Sequence, residues 1–410
     1  MTRRLAFLRK ANWELAFLVG LLASLPLFEA PKNIFWLLFG IAWIVNRVRR
    51  RDFGGSWDRW DTLILLWIAS SYLLALFAGQ PNDEWDGAND VLRYASVLWM
   101  LKRSGYTAPE LNLILRVTVG ATLVALAWGL WAWLGTHEHR TLELNSVGHV
   151  NHSAIFLTIA FGIAVSSLLA SGRQNRLFLV VGILVVIMIG AGVFVSASRG
   201  AVLALLGLTL LLGIVFARRS VWILTIMLLF AFASATTAYI TKIEVVRKQE
   251  ANYAANNTLS HRDALWNTAL VLWRQYPWFG VGMHNFDQAT PEETRSWALA
   301  QGKQYDSSKY LNSSHAHSLY LNALAERGAL GSAILVVILT AWILTLLRAL
   351  PSRQDVYIYW TAWGSAFSAW FVTVVVGFVN TTLHHEHALL SATALGIFLA
   401  TQRSPNRGAV

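Results

Sequence analysis

Cysteine is absent from the 410 residues, which excludes a disulfide framework and a thiolate metal site and leaves the redox compartment unreadable from thiols. Charge is scarce too: 13% of residues are Asp, Glu, Lys or Arg, against 56% hydrophobic residues and 20 Trp. With a mean hydropathy of +0.48, a soluble globule of this composition would expose too much apolar surface, so the chain reads as an integral membrane protein. Its apolar segments are too long and too numerous for a cleaved signal peptide ahead of a soluble domain. The net charge of +11 invites a nucleic-acid partner, but the basic residues sit in short clusters between apolar spans, which excludes one. No convincing internal repeat is present, which weighs against a transporter.

Arg3, Arg4, Arg9 and Lys10 precede a first span at about Trp13 to Phe28, and place the N-terminus in the cytoplasm. A tight turn at Pro31 and Lys32 leads into a second span that ends at Arg47, Arg49, Arg50 and Arg51. The third span starts near Trp60 and goes out to the acidic loop of Asp83, Glu84, Asp86 and Asp90; the fourth comes back to Lys102 and Arg103. Span five, about Leu111 to Leu134, exits into Thr136 to His152, and span six returns to Arg173 and Arg176. Span seven, about Leu177 to Val195, reaches the sequence SASRGA, from which span eight runs back to Arg218 and Arg219. Span nine, about Val221 to Ile240, opens the one long hydrophilic loop, about Thr241 to His315. Span ten, about Gly328 to Leu347, returns to Arg348 and Arg353, span eleven runs out to Asn380, and span twelve brings Arg403 and Arg407 back inside. The expected fold is thus all-α and polytopic, with twelve spans near the ~20 apolar residues a bilayer needs. It divides into spans one to nine (1–240), an outer loop (241–327) and spans ten to twelve (328–410).

Three polar features converge on the outer side. Arg199 lies between two apolar runs at the start of span eight, where its charge adds to the positive end of a helix dipole and suits an anion; snorkelling to the interface is the plainer alternative. Arg262 follows Ser260 in a segment that opens a helix running to about Tyr276, with Ser260 and Asp263 spaced as a capping box. A cation in a first helical turn opposes the dipole, so Arg262 suggests either a bound phosphate-like anion or an ordinary pair with Asp263. Pro277 to Phe286 then forms a tight turn through Gly280 and Gly282. In the third feature, Ser313 and Ser314 are placed to cap a helix whose first turn holds His317, with Leu321, Leu324, Gly328 and Gly331 on the same face. A helix N-terminus keeps that imidazole neutral, as a general base requires, although a capped helix with an incidental histidine has the same spacing.

Around these features, His149 and His152 either line a cleft or cap span six, and His284 and His315 are further candidate contacts. Lys303 and Lys309 either touch substrate or are simply solvated, and Lys242, Arg247 and Lys248 are other basic residues of the loop. Glu326 and Arg327 are expected to pair at the interface. His384, His385, Glu386 and His387 have a superficial look of metal ligands, but adjacent side chains diverge around a helix, so no metal is assigned.

His317-Ser318, nine residues, then Gly328-Ala329-Leu330-Gly331 resembles the H-[NSQ]-x9-G-x-x-G signature of the bacterial O-antigen ligases. Arg262 four residues before Trp266, the P-x-x-G-x-G-x-x-x-F pattern from Pro277 to Phe286, and SASRGA around Arg199 resemble the wider O-antigen ligase and polymerase superfamily. The resemblance implies a glycosyltransferase of GT-C-like membrane fold, acting at the periplasmic face of a bacterial inner membrane with both termini cytoplasmic. Its donor would be O-antigen on undecaprenyl pyrophosphate, its acceptor a sugar hydroxyl of the lipid A core, and it would need no metal or other cofactor. It further implies that His317 is the general base, that Arg199 and Arg262 hold the pyrophosphate, and that Gly280, Gly282, Gly328 and Gly331 are structural. An O-antigen polymerase or protein O-oligosaccharyltransferase shares much of the pattern. A lipid-sugar flippase would place its ionisable groups along a path through the bilayer rather than at one face.

Overall fold

The computed structural model describes residues 12–139, 141–171, 176–217, 244–254 and 259–403. The N-terminal basic cluster, Arg173, Arg218, Arg219, span nine, Lys242 and Arg407 lie outside the described residues, as does the side chain of Lys248.

Helix follows helix throughout. In chain order α1 (Trp13–Ser24), α2 (Glu29–Arg50), α3 (Arg59–Leu76), α4 (Glu84–Lys102), α5 (Ala108–Leu134), α6 (Val150–Ser171), α7 (Arg176–Val195) and α8 (Arg199–Phe216) alternate in direction. Then α9 (Glu244–Ala254), α10 (Arg262–Gln275) and α11 (Pro291–Ala300) lie over one end, before α12 (Leu319–Arg348), α13 (Tyr357–Val376) and α14 (His385–Arg403) return to the bundle. Polar side chains set several of the starts. Asp58 and Asp61 form a capping box for α3, Thr107 and Glu110 one for α5, and Thr290 and Glu293 one for α11. Among the described residues no strand forms beyond an isolated bridge between Leu144 and Gly148.

Among the described residues six helices, α3, α5, α6, α7, α8 and α12, are long and apolar enough to cross a membrane. Expected spans two, four, eleven and twelve correspond to α2, α4, α13 and α14, which are long but less apolar; α2, α4 and α14 place charged side chains inside the bundle instead of on its lipid face. Lys32 of α2 pairs with Glu29 and, in a buried contact, with Glu386 of α14, while Arg93 of α4 pairs with Asp90 at 3.0 Å. Lys32 and Pro31 therefore belong to the first turn of α2, not to the turn expected there; that turn is made by Leu25 to Phe28. Proline is tolerated there because the first N–H groups of a helix have no intrahelical acceptor.

Helix α6 is the axis of the bundle, buried along most of its length against α13, α7 and α8. It meets α13 through reciprocal small residues. A Cβ on Gly162 would sit 2.2 Å from Ser368 Oγ, and one on Gly364 would sit 2.3 Å from Ser166 Oγ. Each serine satisfies its own hydroxyl by donating to a carbonyl four residues back, Gly162 or Gly364, so the two backbones approach without an unpaired polar group.

At one end of the bundle the basic clusters meet acids. Asp61 accepts from Arg103 at 2.8 and 2.7 Å and pairs with Lys102 at 2.7 Å, Arg403 reaches Asp58, and Arg47 pairs with Glu14 at 3.3 Å. These contacts tie the ends of α1 to α4 and of α14 together. The opposite end is where the polar cleft opens.

Candidate functional site

The cleft is organised by a break in α12. Gly328 adopts φ 59°, ψ −166°, a combination essentially confined to glycine. The backbone groups released there are taken up by the turn after α10. Val281 N–H donates to Ala325 O at 2.9 Å and Gly282 N–H to Glu326 O at 3.1 Å, while Ala329 N–H donates to Pro277 O at 2.8 Å. Non-helical backbone at membrane depth is tolerable when protein satisfies it in this way. Gly280, at φ 75°, lets the turn come in: a Cβ there would lie 2.3 Å from the Glu326 carbonyl carbon. Gly282 also has a positive φ, and Gly331 lies against Leu74 of α3. Gly280, Gly282 and Gly328 thus clip the 277–283 turn into α12, so Gly328 marks a break instead of sharing a helical face with Gly331, which packs on α3. Gly328→Val is expected to cost at least about 1–3 kcal/mol in backbone strain, read as a lowered unfolding temperature of the purified protein; an unchanged transition would contradict this role.

His317 stands ahead of the helix, not in its first turn. The N-cap of α12 is Ser318, whose hydroxyl accepts from Leu321 N–H at 3.5 Å, and His317 precedes it with a left-handed φ of 46°. Ser313 and Ser314 do not cap; Ser314 Oγ instead bonds His315 Nδ1 at 2.8 Å. The hydroxyl of Ser318 is close enough to the helix to do the capping itself, which leaves His317 to swing into the cleft. Leu319 N–H donates to Gly377 O at 2.8 Å and to Asn380 O at 3.1 Å, so the start of α12 is docked on the end of α13.

That docking orients the imidazole. His317 Nδ1 lies 3.3 Å from Asn380 Oδ1, and the same oxygen accepts Thr381 N–H at 2.9 Å. Because the Thr381 amide fixes that atom as an acceptor, His317 must donate through Nδ1, and its Nε2 carries the lone pair. Burial holds His317 below its ordinary pKa, with Arg262 and His149 adding to the effect and the Asn380 bond opposing it. The neutral form anticipated from the helix dipole is therefore present chiefly because of desolvation. Asn380→Asp would set a carboxylate against Nδ1–H and raise the imidazole pKa. If His317 acts as a base, the acid limb of a kcat/KM profile then moves to higher pH, and an unmoved limb would remove His317 from the titration.

His317 forms part of the wall between two chambers. The first, of about 500 Å³, is lined by His149, His152, His284, His315, His384 and His385, together with Asp287, Ser313, Asn322 and Glu326. His315 packs edge-on against His317 with ring centroids 4.3 Å apart, and burial pulls its pKa down to about 3. His284, 3.7 Å from Asp90, and His384 are also held below the ordinary value by burial. Burial thus favours the neutral form of His315, His284 and His384. Glu326 does not form the expected interfacial pair: it accepts Asn322 Nδ2–H at 2.8 Å, and Asn322 Oδ1 in turn accepts Ala316 N–H at 2.9 Å. His149 Nδ1 accepts Asn151 N–H at 3.2 Å at the start of α6, and its ring lines both chambers. Among the described residues, no group of three or more His, Asp or Glu is arranged to hold a metal ion.

The second chamber, of about 390 Å³, contains Arg199 and Arg262, with Leu203, Leu259, Val376 and Val379 as an aliphatic wall. Among the described residues no carboxylate lines it. Arg199 is the first residue of α8, and its Nη2 donates at 2.9 Å to Ser260 Oγ, which also receives Asn252 Nδ2–H at 3.1 Å. Arg262 is the first residue of α10. Its Nε is buried without a hydrogen-bond partner, Nη1 has a long 3.4 Å contact to Leu259 O, and burial together with Arg199 lowers its pKa. The expected Ser260–Asp263 box is not made. Ser260 and His261 both have left-handed φ, 53° and 58°, and this turns the Ser260 hydroxyl towards Arg199. Lys303 and Lys309 line neither chamber, and Lys309 lies 3.8 Å from Asp306.

Sequence reasoning passed over Asn380, Asn322 and Asp287, and set aside His384 and His385 once a metal was not assigned. The visible signal was the polar run Asn380-Thr381-Thr382 between apolar segments, followed by two adjacent histidines.

Such a site sets an imidazole between a histidine-lined chamber and a pair of guanidiniums at one end of a helix bundle, which defines a class of membrane protein with a polar cleft. Residues 183–336 match the family model for O-antigen ligases. The match takes in Arg199, Arg262, the 277–286 turn and His317, and leaves out His149, His152, Asn380, His384 and His385. No curated protein matches the chain.

Proposed function

We propose that the protein is an O-antigen ligase, a metal-independent inverting glycosyltransferase of twelve spans and GT-C-like fold at the periplasmic face of the bacterial inner membrane. In this reading the donor is O-antigen on undecaprenyl pyrophosphate and the acceptor a sugar hydroxyl of the lipid A core. The observation that carries it is the placement of His317 in the wall shared by the two chambers, one suited to a lipid pyrophosphate and the other to a sugar.

The pyrophosphate lies against Arg199 and Arg262, with the lipid leaving over the aliphatic wall of Leu203, Val376 and Val379. The acceptor sugar enters the histidine chamber, where imidazoles, Asn322 and Glu326 provide hydrogen bonds. The acceptor hydroxyl gives its proton to His317 Nε2 as its oxygen attacks the anomeric carbon. The bond from that carbon to the phosphate oxygen breaks, and negative charge grows on the leaving pyrophosphate, where the two guanidiniums stabilise it. One displacement inverts the anomeric centre.

A polymerase would hold pyrophosphate lipids on both sides of the reacting centre, whereas the arginine pair lies in one chamber. Cells lacking the protein are therefore expected to accumulate polymerised lipid-linked O-antigen and to make lipopolysaccharide without it. Loss of polymer length with ligation to core preserved would assign the protein as a polymerase instead.

A further inference from the structure

We propose that the end of the bundle remote from the cleft binds one anionic phospholipid, with its phosphate on Arg116 and an acyl chain in the groove between α5, α6 and α7. Arg116 projects from the outer face of α5, eight residues into the helix, or about 12 Å along it. An arginine exposed at that position on a membrane-spanning helix is costly unless an anion or water meets it. The ring of Phe178, 5.8 Å from its guanidinium carbon, is an aromatic face and brings no negative charge.

Two cavities meet at this side chain. A notch of about 450 Å³ along the first turns of α5 contains Asn112 and Arg116, and an apolar groove of about 290 Å³ runs on past Val119, Leu123, Leu168 and Val185. Among the described residues no carboxylate lines either cavity, and the stretches of chain outside them contain no Asp or Glu. Among the described residues no acid reaches this arginine, and a complementary charge from outside fits it. A guanidinium fork matches phosphate oxygens, and the adjoining groove has the apolar lining an acyl chain requires. A Cβ on Gly120 would meet nothing within 4 Å, which leaves open space beside the groove at the level a chain hung from Arg116 would occupy. The groove lies near the far ends of α6 and α7, whereas the cleft residues His149, His152 and Arg199 lie at their other ends, so this lipid is separate from any substrate of the cleft.

The test is native mass spectrometry of the full-length protein in detergent, titrated with phosphatidylglycerol or with zwitterionic phosphatidylcholine. One saturable phosphatidylglycerol is expected, with Arg116→Gln weakening it about fivefold or more. Gly120→Leu is expected to weaken it comparably while leaving Arg116 in place, because the added side chain fills the groove. Leucine also favours helix over glycine, so this second variant keeps the test sound if Arg116→Gln fails to fold. Equal retention of both lipids, or retention unaffected by either substitution, would show annular lipid only and overturn the proposal. Loss in Arg116→Gln with none in Gly120→Leu would overturn the acyl-chain assignment.

Discussion

Replacing His317 by alanine is expected to lower the single-turnover transfer rate by roughly 10²–10⁴-fold, the usual worth of a general base, while donor binding persists. The imidazole contributes little to folding: it lies outside α12, and its ring bonds to Asn380 at the rim of the cleft. Its left-handed φ of 46° makes asparagine a useful second replacement, since asparagine tolerates that backbone better than alanine and carries no base. Both variants should fold and bind donor, and both should be slow. Near wild-type turnover in either would remove His317 from the chemistry. Because burial depresses the imidazole pKa, the wild-type rate should hold steady as pH falls through the ordinary histidine range and decline only below it.

The second large effect is expected at the paired guanidiniums. Removing one preorganised donor to a developing oxyanion costs about 10²–10³-fold in turnover, and Arg262→Ala and Arg199→Ala should each lose donor affinity as well. Lysine should restore only part of the loss, because an ammonium cannot reproduce the fork. Arg262 offers a further distinction. It is half-buried beside a like charge, and its Nε has no partner, so its removal should leave the thermal stability of the protein without donor unchanged or improved while activity falls. A purely structural role would move both in the same direction. Donor binding unaltered in both alanine variants would exclude the pyrophosphate assignment.

Much of the architecture was legible because composition and charge act over long stretches. The run of apolar segments separated by basic clusters anticipated the alternating helices, and the two arginines were correctly placed at helix starts. The capping details were not legible, because several hydroxyls compete for one helix end. Ser313, Ser314 and Ser318 all precede α12, and only tertiary docking of Leu319 onto Gly377 and Asn380 decides that Ser318 caps and that His317 faces the cleft. Gly328 looked like a residue on a helix face. Its role in a break depends on a turn some 50 residues earlier in the chain, which no local pattern encodes. Asn380 was invisible for the same reason: its meaning lies in a contact 63 residues away. The histidines of the first chamber come from four separated segments, and only the fold brings them together.

The central claim is glycosyl transfer at His317 from a lipid pyrophosphate donor to a lipid A core. Purified protein in liposomes, given preformed polymer on undecaprenyl pyrophosphate together with isolated lipid A core, tests it most directly. The account predicts a core-linked product with the anomeric configuration inverted relative to the donor linkage, formed by the wild type and nearly absent with His317→Ala. Retained configuration, or a product formed equally well by the variant, would contradict it.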